Sequence, residues 1–160
     1  MPFTEFPLKL PGRIFGCPMP FSIYDPEGES LRRFKREGVS VVVVLTEEEE
    51  YLLRARRDLK SIYREEGFQV IEVPAPDFDV PSKVDLLIAV NKVIELARAG
   101  RNVAVHCHAG IGRTGLFAAF LAKRVLGLTG EEAVCWTRRY IPGAVEVEVQ
   151  RRMILDDIAN

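Results

Sequence analysis

The sequence is short of the residues that build staples, dithiol switches and membrane spans. Its three cysteines, Cys17, Cys107 and Cys135, are odd in number and widely spaced, which argues against a disulfide framework. No C-x-x-C is present, so a thioredoxin-like redox pair is excluded. The longest purely aliphatic run, Val41 to Leu45, is far too short to cross a bilayer. The opening "MPFTEFPLKLPGR" has three prolines and no apolar core of a signal peptide, so a reduced, cytoplasmic protein is expected. With a net charge of −1 there is no bulk attraction to nucleic acid or anionic membrane, and neither is expected as a partner. Repeats and low-complexity linkers are also missing.

What remains is an ordinary globular composition, 48% hydrophobic and 28% charged, with room in 160 residues for one domain and its core. Residues 1–160 are therefore expected to form a single domain. Residues 1–30, rich in proline and glycine, read as an irregular arm packed on it, with a short strand near "GRIFG". "ESLRRFKREG" predicts a short helix closed by Gly38, and "VSVVVVL" a strand buried on both faces. "TEEEEYLLRARRDLKSIYREEG" predicts one helix, capped by Thr46 with Glu49 three residues on and ended by Gly67. Its glutamates Glu47 to Glu50 read as acid at a helix N-terminus, where the macrodipole favours it, rather than as a cation site.

"FQVIEV" predicts a second strand, followed by the proline-stiffened loop "PAPDFDVPS". Ser82 caps a helix over "KVDLLIAVNKVIELARAG", with Asp85 in the capping-box position and Gly100 as terminator. "NVAVH" is a third strand. A helix begins near Arg113, Thr129 with Glu132 caps the next, and the last lies in "AVEVEVQRRMILDDIAN". Strands alternating with helices define an α/β class: a central, mainly parallel twisted sheet with helices on both faces.

The chemistry concentrates in "VAVHCHAGIGRTG", Val103 to Gly115, where a cysteine sits between two histidines at the end of an apolar run. A metal site, a redox thiol and a cysteine nucleophile compete for it. Neighbouring residues in extended chain point to opposite faces, so His106, Cys107 and His108 cannot converge on one ion. Cys17 and Cys135 have no ligand-like spacing either, so no metal and no cofactor are expected. The nucleophile fits best. Cys107 stands beyond the carboxyl end of a strand, where α/β sheets bind ligands. Gly110 and Gly112 let the backbone curl so that successive amides and a helix N-terminus face one small anion. That field favours the attacking thiolate. Arg113 lies at the helix start, and its planar fork matches two oxygens of a phosphoryl group.

"HCHAGIGRTG" resembles the H-C-x5-R-[ST]-G signature of the cysteine-dependent protein tyrosine phosphatase superfamily. "LPGRIFGCPMP", "PAPDFDVPS" and "RRYIPGAVEVEVQ" are similar to further elements of its small atypical dual-specificity members, in family order over roughly the whole chain. The resemblance implies Cys107 as nucleophile, Arg113 as phosphoryl clamp, and the amides of His108, Ala109, Gly110, Ile111, Gly112 and Arg113 as cradle. It implies Thr114 as the hydroxyl that stabilises the thiolate, His106 as support for the loop, and Gln150 as a residue near the pocket that positions water. Asp77 aligns with the general acid, four residues before Pro81, with Asp79 as competitor.

The implied substrates are phosphorylated proteins or peptides, both phosphotyrosine and phosphoserine/threonine, handled by a monomer. His108 and Ile111, where phosphoinositide-directed relatives carry basic residues, argue against polyanionic lipids. Gly112, where RNA 5′-phosphatase relatives have asparagine, argues against RNA ends. His108 is expected to point outward from the loop. Arg138, Arg139, Arg151 and Arg152 read as a solvated helix face rather than a basic rim. Phe78 either packs or touches a leaving group, Trp136 is core, and pairing of Cys17 or Cys135 with an oxidised Cys107 is disfavoured.

Overall fold

A computed structural model describes residues 2–158. Its strands are β1 (Thr4–Phe6), β2 (Ile14–Cys17), β3 (Val39–Val44), β4 (Gln69–Glu72) and β5 (Asn102–His106). They form one sheet in the order β1-β2-β5-β3-β4, parallel except for the antiparallel β1–β2 pair. Seven helices are described: α1 (Glu29–Arg36), α2 (Glu48–Arg54), α3 (Leu59–Glu65), α4 (Lys83–Arg98), α5 (Gly112–Leu126), α6 (Gly130–Tyr140) and α7 (Glu148–Leu155).

The unbroken valine run of β3 is explained by cover on both sides. Val41 and Val43 join a core with Val90, Phe117 and Ile154, from α4, α5 and α7. Val42 and Val44 join the opposite core with Phe34, Tyr51 and Tyr63, from α1, α2 and α3. Alternation of side chains along the strand distributes these valines, and full burial contributes ~1.5–3 kcal/mol for each. The α/β class with a mainly parallel sheet and helices on both faces is what the structure has.

Three expectations need correction. The N-terminal arm is more ordered than expected: the short strand near "GRIFG" is β2, but it sits inside the sheet against β5 with every residue buried, and a further strand, β1, pairs with it. Pairing to a distant strand overrode the local proline and glycine signal. The long helix is two, α2 and α3. Ala55 and Leu59 are both buried, Arg56 turns the chain at φ 53, and the Asp58 carboxylate caps the Ser61 amide to start α3. Nor does Thr46 cap: Glu47 occupies that position, and Thr46 is buried at the end of β3.

The other boundaries hold. Ser82 Oγ accepts the Asp85 amide at 3.2 Å, and Thr129 and Glu132 form a reciprocal capping box. The last helix is shorter than its sequence stretch, and Ala159 and Asn160 lie outside the described residues.

Candidate active site

β5, pinned between β2 and β3, delivers His106 and Cys107 to the carboxyl edge of the sheet. His106 is fully buried. Its Nδ1 lies 3.0 Å from the Cys107 carbonyl, and its Nε2 lies 2.7 Å from the Tyr63 hydroxyl. A carbonyl can only accept, so Nδ1 carries the proton and Nε2 accepts from Tyr63. Burial lowers the His106 pKa to about 4, so the ring is neutral at pH 7. The tautomer thus fixes the peptide that carries the Cys107 carbonyl.

After Cys107 the chain makes a tight turn. Gly110 takes φ 83, and a Cβ there would stand 2.7 Å from the Cys17 carbonyl oxygen. Only glycine meets both conditions. The Met19 amide donates to the His108 carbonyl at 2.9 Å, tying this turn to the segment after β2. α5 starts at Gly112, which is followed by Arg113 and Thr114 in its first turn. The Thr114 hydroxyl donates to Cys107 Sγ at 3.1 Å, a contact that stabilises negative charge on sulfur. Gly110 and Gly112 are buried; Ala109 and Ile111 are partly so.

Arg113 is clasped rather than free. Its Nη1 and Nη2 reach the two carboxylate oxygens of Glu50 at 2.7 and 2.8 Å. Nη1 also donates to the Ala75 carbonyl at 2.8 Å, and Nη2 to Asp77 Oδ1 at 3.1 Å. Nε is buried and has no hydrogen-bond partner among the described residues. Burial alone would push the guanidinium pKa down. The Glu50 hydrogen bonds, with the charges of Cys107, Glu50 and Asp77, outweigh it and raise the pKa. The side chain of Arg113 is 2% exposed, that of Glu50 11% and that of Asp77 33%, so only Asp77 of the three is within easy reach of solvent.

Asp77 and Asp79 part company. Each accepts the amide of the residue after it, Asp77 Oδ1 from Phe78 at 3.1 Å and Asp79 Oδ1 from Val80 at 2.8 Å, but Asp77 also faces Arg113. Phe78 between them is exposed at φ 61, so it does not pack. Gln150 is buried and holds this loop from below. Its Oε1 accepts the amides of Glu146 and Val147, and its Nε2 donates to the Asp79 carbonyl at 3.2 Å. A Cβ on Gly112 would come within 3.1 Å of the Gln150 amide, so the residue borders the cradle as well.

His108 does not point outward. It is 5% exposed, and its ring meets Tyr24 edge-on at 4.9 Å, because the Ser22–Tyr24 segment folds over it. Burial, and then the charge of Arg54, push its pKa down. Glu50, Asp77 and His108 offer ligand atoms within 4.8 Å of one another, but both carboxylates already face the Arg113 guanidinium.

Cys17 sits in the core cluster on the α1–α3 side and Cys107 in the cluster on the other side, while Cys135 is exposed on α6. Arg138 braces the turn after α6 through the Ala144 and Val145 carbonyls. Trp136 is buried, as expected. Sequence reasoning missed Glu50 and Tyr63. Nothing local marks Tyr63, and Glu50 was visible only as one of four acids in a row.

A strand that runs into a cysteine-headed glycine loop, followed by an arginine at a helix start, is the arrangement the cysteine-dependent phosphatase signature leads one to expect. Residues 19–125 match the family described as "Polymorphic toxin system, DSP-PTPase phosphatase". The chain belongs to this DSP-PTPase family of tyrosine and dual-specificity phosphatases. It is 34% identical over 112 residues to the tyrosine-protein phosphatase cdc-14 of Caenorhabditis elegans, covering 70% of this chain and 14% of that protein. Laforin of Mus musculus is 39% identical over 57 residues, 35% of this chain and 17% of that protein. The chain thus spans a small part of these relatives. Among solved structures, Tk-PTP in its active form superposes with a TM-score of 0.78 at 29% identity, over 97% of this chain and 98% of that one. Kinase associated phosphatase shares the fold at a TM-score of 0.83 and 18% identity, over 96% of this chain and 92% of that one.

Proposed function

We propose that the protein hydrolyses phosphomonoesters without a metal, through a cysteinyl-phosphate on Cys107, with phosphorylated tyrosine, serine and threonine side chains of proteins as substrates. One observation carries this reading: Thr114 donates to Cys107 Sγ, and the residue before it, Arg113, keeps an Nε that has no hydrogen-bond partner among the described residues. A sulfur held as acceptor and one unengaged guanidinium N–H, next to an Nη2 shared with the partly exposed Asp77, are what an incoming phosphoryl group needs.

In the first step the Cys107 thiolate forms a bond to phosphorus as the bond to the ester oxygen breaks. Arg113 and the amides of residues 108–113 hold the three equatorial oxygens, where the transition-state charge spreads. Substrate oxygens displace Asp77 from Arg113; Asp77 then takes up a proton from solvent and delivers it to the departing ester oxygen. In the second step water attacks phosphorus, returns a proton to Asp77, and expels the thiolate that Thr114 stabilises. Gln150 acts by fixing the acid loop, since both ends of its amide are engaged.

The test is phosphate release from an aryl phosphate and from phosphotyrosine and phosphoserine/threonine peptides, all in EDTA. Turnover by wild type, its inhibition by vanadate, and its loss in Cys107→Ser are expected. A requirement for a divalent ion, or an active Cys107→Ser, would sink the reading.

A further inference from the structure

Beside the catalytic loop the surface carries a cleft of about 460 Å³, bounded by Phe21–Pro26 and by the turn between α2 and α3, with His108 among its lining residues. Three arginines are among its lining residues: Arg54, Arg56 and Arg57. Their charges are largely uncompensated. Among the described residues neither Arg56 nor Arg57 has a carboxylate partner, and Arg54 stands 3.8 Å from Glu50, which Arg113 already holds. The acid nearest in sequence on the facing wall, Asp25, is buried, with its carboxylate accepting the amides of Glu29 and Ser30.

One of these cations is held in place, and the backbone of another is fixed by the turn between α2 and α3. Arg56 adopts φ 53, a left-handed conformation that favours glycine, between the buried Ala55 and Leu59. Arg57 lies 4.0 Å over the Phe21 ring and donates to the Ala55 carbonyl, an arrangement that orders its planar group at the cleft wall. On the other side of Leu53 and Arg54 a second cleft, of about 440 Å³, is lined by Glu47, Glu49 and Glu50 and reaches Asp77. The two clefts flank the site with opposite charge, so an anion is favoured on one side only.

We infer that the arginine cleft is a subsite for a second anionic group of the substrate, carried a few residues from the phosphorylated side chain of an extended peptide. The inference rests on the phosphatase reading above. Aspartate, glutamate and a second phosphoryl group share the chemistry, since each offers two or more oxygens to a guanidinium fork. One to three residues of extended chain reach ~3–10 Å along the surface from the phosphorylated position. Exposed Ile23 and Leu53 give that chain apolar contact at the lip.

The experiment compares kcat/KM on phosphotyrosine peptides that differ only in flanking residues, alanine against aspartate and against a second phosphoresidue, moved stepwise along each side. Wild type runs beside the double variant Arg56→Ala/Arg57→Ala, with an aryl phosphate as the common reference. Acidic flanks on one side should raise wild-type kcat/KM by about fivefold, as expected for two partly exposed ion pairs, and 0.5 M salt should erase the gain. The double variant should lose the gain while its aryl phosphate turnover stays at the wild-type rate. The aspartate and phosphoresidue arms show which anion the cleft prefers.

Equal turnover of all peptides by wild type, or a gain that survives in the double variant, overturns the inference while leaving the phosphatase reading intact. No turnover of aryl phosphate by wild type would instead sink that reading. Vesicles of phosphatidylcholine carrying a phosphatidylinositol monophosphate form a last arm. Arginine-dependent release from them in preference to every peptide would overturn the peptide assignment in favour of lipid.

Discussion

Glu50→Ala is the substitution that most directly tests how Arg113 is held. In the folded protein both Glu50 oxygens take guanidinium donors, at 2.7 and 2.8 Å, in a region where the arginine side chain is 2% exposed. Stranding a buried charge altogether costs ~3–5 kcal/mol. Here the Ala75 carbonyl and Asp77 keep two contacts, and water can follow through the partly exposed Asp77, so ~2–3 kcal/mol of stability is the expected loss. The kinetic effect should be larger than that figure suggests. Without the carboxylate behind it, the guanidinium plane is free to tilt, and a misplacement of ~1 Å is worth about 10²-fold in rate.

The assay is kcat on an aryl phosphate at a temperature well below the variant's melting point, with Tm and vanadate affinity measured in parallel. The exposed neighbour serves as control, and Glu49→Ala should leave all three unchanged. If Glu50→Ala loses stability but keeps wild-type kcat and vanadate affinity, the clasp is a strut for the fold and the positioning argument is wrong.

Asp77→Asn should slow turnover by about 10²–10⁴-fold on esters with poor leaving groups and much less on a nitrophenyl ester, while Asp79→Asn changes little; equal losses on both esters would refute Asp77 as the acid. Tyr63→Phe removes the donor to His106 Nε2 and leaves a buried acceptor unpaired, so urea unfolding should show a loss of ~1–3 kcal/mol with kcat falling less than tenfold.

His106 also makes stability depend on pH. Its pKa falls from 6.5 to about 4 on folding, so between those values the unfolded chain binds the extra proton. Stability from this group is complete above 6.5 and declines by up to ~3 kcal/mol as the pH falls toward 4. Urea midpoints at pH 7, 5.5 and 4.5, compared with those of His106→Gln, isolate the contribution, and parallel curves would disprove it.

The cradle was legible in the sequence because its constraints are local. A strand, two glycines, an arginine and a threonine within thirteen residues, Asn102 to Thr114, fix their own geometry through φ angles and helix start. The sheet's helical cover was legible for the same reason, in the double-sided valines of β3. What escaped depends on partners far along the chain. Glu50 lies 63 positions from Arg113, and Tyr63 lies 43 from His106, so no periodicity or spacing connects them. Within the run Glu47 to Glu50 all four residues look alike; tertiary packing of α2 alone selects the fourth. His108 was misjudged because the segment that covers it, Ser22–Tyr24, belongs to a stretch whose prolines and glycines suggested no fixed structure. The break at Arg56 was equally hidden, since arginine carries no turn signal.

Placing β2 beside β5 has a consequence for the birth of the chain. Ile14 pairs with Val103, 89 positions later. At ~5–20 residues per second a ribosome takes roughly 5–20 s to cover that distance. Throughout that interval Ile14–Cys17 has no strand to accept its amides on that side, and β3 waits likewise for the same partner. Closure of the sheet therefore coincides with synthesis of the nucleophile loop. A nascent chain stalled before residue 102 would expose two apolar strand edges, the kind of surface that aggregates or recruits a holding chaperone. Escape from that hazard therefore waits for the strand that leads into the Cys107 loop.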